Sequence, residues 1–127
     1  MVKSISFFIL LMLCFLSVCS GNSPGYQRIT AETAHQMMQQ HSGFVLLDVR
    51  TEAEFRERYI PGAILIPVNE LERRAAELPD KDAVIFVYCR MGVRASNAAR
   101  ILVQQGFTQV FNIGGIVDWP YETVSGN

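Results

Sequence analysis

With 127 residues and a formal net charge of −1, the chain has room for one compact domain and carries no basic surplus with which to hold nucleic acid or an anionic membrane. Half of its residues are hydrophobic, and part of that excess is concentrated in the first twenty.

Lys3 is followed by a nearly continuous apolar stretch from Ile5 to Val18 and then by Cys19-Ser20-Gly21. One cation, an apolar core of about 14 residues and a small-residue exit form the pattern of a cleaved secretory signal peptide over residues 1–20. The run is short of the roughly 20 residues a membrane span needs, so no span is expected. Leu16-Ser17-Val18-Cys19 is also an imperfect lipoprotein cleavage box, with Val18 where Gly or Ala is usual. A lipid anchor at Cys19 therefore stands as the alternative to ordinary cleavage. The expected mature chain has a linker over 21–25 and one domain over 26–127. Of the three cysteines, Cys14 and Cys19 fall in the leader, which leaves Cys89 alone. A lone cysteine outside the cytoplasm cannot form an internal disulfide, so it is either buried and inert or free for chemistry.

Tyr26–Ile29 reads as a short strand, and Thr30 as the cap of a helix through Gln39. Phe44-Val-Leu-Leu-Asp48 suits a strand buried on both faces. Thr51 and Glu54 have capping-box spacing and open a short helix to about Arg58. Pro61-Gly62 is a turn, and Ala63–Ile66 the next strand. Asn69 and Glu72 repeat the capping-box spacing, opening a helix that Pro79 closes. Ala83–Tyr88 is the strongest strand. Arg94–Gln105 is helical, with Ala95, Ala98, Ala99, Leu102 and Val103 on its inner side. Gln109–Asn112 is a last strand, followed by a tight turn at Gly114-Gly115. Strands and helices alternate through short connections, which predicts an α/β fold with a parallel sheet covered on both faces.

In such a sheet, sites form outside the carboxyl ends of the strands. Two ends carry notable residues: Asp48-Val49-Arg50 and Cys89-Arg90-Met91-Gly92-Val93-Arg94. A loop between a buried strand and a helix can turn its N–H groups inward, a cradle that binds anions and stabilises a thiolate over a thiol. Gly92 permits the positive φ such a loop needs, and Arg90 and Arg94 add fixed positive charge. Cys89 is therefore the candidate nucleophile, with Arg90, Met91, Gly92, Val93 and Arg94 as its substrate-binding loop. Arg50 is either an anion ligand or the partner of Asp48. Asp48 is read as a structural support rather than a base, since a pre-formed thiolate needs none. His35, His41 and Trp119 are read as structural. No residue cluster has zinc-ligand spacing and no glycine motif fits a nucleotide, so neither a metal nor a cofactor is expected.

Leu47-Asp48-Val49-Arg50, Glu54-Phe55, Tyr59-Ile60-Pro61-Gly62-Ala63, Tyr88-Cys89-Arg90-Met91-Gly92-Val93-Arg94, Gly106-Phe107 and Gly114-Gly115-Ile116-Val117-Asp118-Trp119 together resemble the single-domain rhodaneses. Within that family the likeness is to small thiosulfate sulfurtransferases of the bacterial periplasm. The resemblance implies a five-stranded parallel sheet with helices on both sides. It implies that Cys89 takes sulfane sulfur from thiosulfate as a persulfide and passes it to cyanide or a thiol. A persulfide carrier acting with an exported partner protein is the alternative. A monomer is expected. The family's sulfurtransferases have six residues from the cysteine through the closing arginine, as Cys89 to Arg94 do, whereas its phosphatase-like relatives have seven. Two departures stand out: Arg58-Tyr59 where Gly-His is usual, and Ala95 where Ser usually follows the arginine.

Overall fold

The computed structural model describes residues 25–126. The leader, Cys14, Cys19 and all of the linker but Gly25 lie outside the described residues. The most apolar run in the domain, Val84–Cys89 (β4), must be covered on both faces and takes the middle of the sheet. Its neighbours are Val45–Asp48 (β2) on one side and Gln109–Gly115 (β5) on the other. The two-residue strands Gln27–Arg28 (β1) and Ile64–Leu65 (β3) form the edges. All pairings are parallel, in the order β1-β5-β4-β2-β3.

The period-two alternation of β4 sorts the core. Ile85, Val87 and Cys89 face one layer with Val45, Leu47 and Val49; Phe86 and Tyr88 face the other with Leu46. The first layer is covered by the helices Val68–Arg74 (α3) and Val93–Gln104 (α4) through Leu71, Ala95, Ala98, Ala99 and Leu102. The second is covered by the helix Ala31–Gln40 (α1) and the C-terminal segment, through Ala34, Met37, Met38, Trp119 and Tyr121. Trp119 stands edge-on to His35 and Tyr121, and its indole N–H donates to the Glu122 carbonyl. The short helix Glu52–Glu57 (α2) buries no residue. Cys89 therefore points to the same side of the sheet as α4, the helix that follows it.

Two elements differ from the sequence reading. The helix expected to open at Asn69 begins at Val68, because Pro67, with φ −54°, already sets the entry geometry and leaves Asn69 inside the first turn. It also stops at Arg74 and tightens into a 3₁₀ turn over Ala75–Glu77 before Pro79 is reached. Gly114-Gly115 is not a turn but the end of β5, where Gly115 pairs with Cys89 after a register shift that leaves the extra residue in β5. The turn follows it, as a 3₁₀ element over Ile116–Asp118. Among the described residues no helix is long and apolar enough to cross a membrane.

Leu102 lies at the centre of the contact between α4 and the sheet and is fully buried. Leu102→Ala should lower unfolding stability by about 2–5 kcal/mol, read as a fall in the urea midpoint at unchanged slope.

Candidate active site

The end of β4 delivers Cys89 to the floor of a loop that closes at the first turn of α4. Its thiol is buried and, among the described residues, has no disulfide partner. The Gly92 N–H donates to Cys89 Sγ at 3.0 Å. Gly92 holds φ +106° and ψ −15°, a left-handed conformation open to glycine and strained for other residues. It is also the N-cap of α4, and it brings no side chain to satisfy the helix's first amides. Two other helices are capped by side chains: Thr30 caps α1, and Thr51 with Glu54 forms a complete capping box on α2, while α3, entered from Pro67, has no side-chain cap. The N-terminal end of α4, with its partial positive charge, is thus free to serve an anion at Cys89.

The loop is braced from behind by β5. A Cβ on Gly115 would lie 2.1 Å from the Arg90 carbonyl oxygen and 2.5 Å from Met91 Cα, so only glycine admits this approach. The Val117 N–H then donates to the same Arg90 carbonyl. Arg90, Met91 and Val93 turn outward, with Met91 71% and Val93 80% exposed.

The four charged residues singled out from the sequence separate into two groups. Arg50 and Asp48 are both buried and pair with each other. The Arg50 backbone N–H, Nε and a terminal nitrogen all donate to the Asp48 carboxylate, and the same terminal nitrogen donates to the Arg58 carbonyl at 2.7 Å. Burial pulls the Arg50 guanidinium down, and the Asp48 carboxylate more than offsets it, so the net shift is upward. This pair ties the end of β2 to the segment after α2. The guanidinium also lies over the Tyr88 ring. Burial first, and then the nearby Asp48 charge, raise the Tyr88 hydroxyl well above its ordinary range; that hydroxyl accepts the Ile60 N–H. Of the two roles open for Arg50, the contacts are those of the structural one.

Arg94 lies at the loop, half-buried, and is held by Glu54 through two hydrogen bonds of 2.7 and 2.9 Å. Arg90 is exposed and, among the described residues, has no carboxylate within ion-pair distance. The sequence reading gave Glu54 only its capping duty, yet the same carboxylate clamps an arginine forty positions away. It also missed Arg28, whose guanidinium passes 3.8 Å from the Cβ position of Gly92. Nothing in the local sequence could have found Arg28, because the neighbourhood depends on β1 pairing with the last strand rather than the next one.

Residues 30–121 match the family model described as the rhodanese-like domain. The chain belongs to the rhodanese family. YrkF of Bacillus subtilis strain 168, whose descriptor includes the words "sulfur carrier protein", is 36% identical over 105 residues, or 82% of this chain and 56% of YrkF. The chain thus spans little more than half of that relative. The thiosulfate sulfurtransferase PspE of Escherichia coli K12 is 38% identical over 81 residues, covering 63% of this chain and 78% of PspE. A solved structure described as a rhodanese with anions from E. coli superposes with a TM-score of 0.61 at 36% identity, covering 65% of this chain and 98% of that one. The rhodanese fold expected from the sequence is the fold observed.

The geometry yields two expectations. Gly115→Ala should push the Arg90–Met91 backbone away from β5, lowering the melting temperature and slowing the reaction of Cys89 with iodoacetamide. Glu54 is held down to about 2, chiefly by its hydrogen bonds from Arg94 and secondarily by those from Thr51, against the opposing effect of burial. A depressed carboxylate contributes stability above its unfolded value, and loses it as pH falls toward the folded one. Glu54→Gln should thus be less stable than the parent by about 1 kcal/mol above pH 5, and the difference should vanish as pH falls from about 4.5 toward about 2. Unfolding curves across that range measure it.

Proposed function

We propose that the chain is a sulfurtransferase that accepts the sulfane sulfur of thiosulfate on Cys89 and passes it to cyanide or to a thiol. The observation that carries this reading is Cys89 Sγ at the floor of a six-residue loop, beneath the Gly92 N–H and an uncapped helix N-terminus. In the first step the Cys89 thiolate attacks the outer sulfur of thiosulfate. The Sγ–S bond forms, the S–S bond of thiosulfate breaks, and its electron pair leaves on sulfite. In the second step a nucleophile, the carbon of cyanide or the sulfur of a thiolate, attacks the terminal sulfur of the persulfide. The Sγ–S bond breaks and its pair returns to Cys89. No net oxidant, reductant, metal or cofactor enters the balance. The loop amides offset the negative charge of both thiolate and persulfide.

The division of charge around the loop supports separate roles for its arginines. Arg90, exposed and without a carboxylate partner among the described residues, receives the doubly charged donor. Arg94, already neutralised by Glu54, holds the loop in shape and adds the remainder of its field. Arg50 drops out as an anion ligand and, with Asp48, supports the end of β2. The six-residue spacing, one short of the phosphatase-like loops, favours sulfur over a phosphate-sized group. The leader read over residues 1–20 supports action in the periplasm, free after cleavage near Gly21 or anchored through Cys19.

A second reading, a persulfide carrier working with an exported partner, is favoured by one specific feature. Met91, Val93 and Val117 are large apolar side chains exposed beside the site. A small anion needs no such rim, and a protein surface carrying the acceptor thiol would cover it.

Incubation with thiosulfate should add the mass of one sulfur atom to the protein but not to Cys89→Ser, and thiocyanate formation from thiosulfate and cyanide should vanish in that variant. Arg90→Ala should raise the KM for thiosulfate roughly tenfold with little change in kcat, as expected for loss of a charge-assisted contact to the donor. Arg94→Ala should lower kcat as well, because it releases Glu54 and the loop together. Wild-type protein that gains no sulfur and makes no thiocyanate would overturn the enzyme reading. Persulfide formation with turnover only toward a protein thiol would favour the carrier.

A further inference from the structure

Asn112 is 1% exposed and sits near the end of β5, in a layer otherwise made of apolar side chains. A buried amide must spend both its ends or cost stability. It spends them across the active-site loop. The Gly114 backbone N–H donates to Asn112 Oδ1 at 2.8 Å. A backbone N–H can only donate, so the amide's orientation is fixed and its NH₂ faces Ser96. Asn112 Nδ2 then donates to Ser96 Oγ at 2.9 Å, and the Ser96 hydroxyl donates to the Gly92 carbonyl at 3.2 Å. The Gly92 carbonyl also receives the Ser96 backbone N–H at 3.0 Å, the first intrahelical bond of α4. The chain of donors runs in one direction, from β5 to the residue whose own N–H meets Cys89 Sγ.

From this geometry we infer that Asn112 and Ser96 are positioning residues that hold the sulfur cradle in its working shape. The inference deepens the proposed reaction and rests on it for the identity of the anion. Gly92 is the one residue of the loop in a left-handed conformation, and glycine has no side chain by which its neighbours can hold it. Its carbonyl is the available handle, and Ser96 grips that handle twice. Fixing the carbonyl fixes the plane of the Gly92–Val93 peptide, which carries the N–H of Val93, the first amide of the uncapped helix. It also anchors one end of Gly92, whose own N–H, on the preceding peptide, reaches Sγ. A carbonyl that accepts two hydrogen bonds also makes the N–H across its peptide bond a stronger donor, because the bonds polarise one another. Through Gly114, the same asparagine ties this peptide to the segment whose Gly115 braces the loop from behind. Neither residue touches the reacting sulfur in the structure, so neither is a catalytic residue.

The test compares Ser96→Ala, which removes the hydroxyl, with Ser96→Thr, which keeps it. Asn112→Asp is the third variant: it preserves the acceptor for Gly114 and deletes the donor to Ser96. Each protein, shown to be folded by its thermal melt, is assayed for Cys89 alkylation by iodoacetamide at pH 7 and for kcat and KM with thiosulfate and cyanide. Loss of one hydrogen bond's worth of support should slow alkylation and lower kcat by roughly threefold to tenfold in Ser96→Ala. The thiosulfate KM should stay within about twofold of wild type, because Arg90 and Arg94 remain. Ser96→Thr should recover most of the loss, and Asn112→Asp should be at least as slow as Ser96→Ala. A folded Ser96→Ala that alkylates at the wild-type rate overturns the inference, as does a Ser96→Thr no faster than Ser96→Ala. The alkylation rate needs no sulfur transfer, so a wild type inactive with thiosulfate would reject the proposed reaction and still leave the positioning role decided by the serine pair. If Asn112→Asp fails to fold, the same pair decides it.

Discussion

Most of this structure is arranged around a helix that begins without a cap. The first amides of α4 have no intrahelical acceptors, and in α1 and α2 a threonine supplies one. At Gly92 none is supplied, which costs α4 roughly a few tenths of a kcal/mol relative to a good cap. The N–H of Gly92 itself is directed at the end of β4, where Cys89 stands. Everything nearby supports that arrangement. Gly92 makes the tight entry possible, Gly115 lets β5 lie against the back of the loop, and the alanines of α4 bring the helix close to the sheet. The sheet contributes rigidity, which a loop of this conformation lacks by itself.

The two arginine–carboxylate pairs at this end of the sheet do different work because their burial differs. Asp48 and Arg50 are removed from water, so their desolvation is offset only by a complete set of partners, and among the described residues no buried side-chain nitrogen or oxygen lacks one. Such a pair fixes geometry more than it adds stability. Glu54 and Arg94 lie at the margin of solvent, where a bidentate contact is cheap to form and can exchange partners. The guanidinium at the Cys89 loop is thus the one in contact with solvent, and the one at the end of β2 is sealed from it.

Local pattern was enough to place most elements and the loop that joins β4 to α4. The strand–helix alternation, the Thr51–Glu54 capping box and the apolar run of β4 each rest on neighbouring residues, and each is found where expected. The failures share a physical origin. Gly114-Gly115 reads as a turn in isolation, since two glycines favour one, but a strand partner with no room for a Cβ demands glycine as well. Asn69 has the right spacing for a cap and lost to the fixed φ of Pro67. Glu54 reaches Arg94, and Asn112 reaches Ser96, through contacts whose partners are remote in sequence or lie across the sheet, and no periodicity encodes those. Arg50 could be given two roles from sequence because both need the same residue, and sequence does not show that its side chain is buried against Asp48.

The strand order has a consequence for the chain as it is made. β5 is the last strand to be synthesised, yet it lies between β1 and β4. It carries both the glycine that braces the loop and the asparagine whose amide donates to Ser96, the residue that holds the Gly92 carbonyl. A nascent chain that has completed β1 through α4 still lacks the back wall of its own cradle, so its cysteine is an unremarkable thiol in an unfinished sheet. The shape of the loop is completed by insertion of the final strand rather than by synthesis of the loop itself. A chain held unfolded, whatever the reason, presents Cys89 without the Gly92 N–H and the closed loop that the folded chain sets around it.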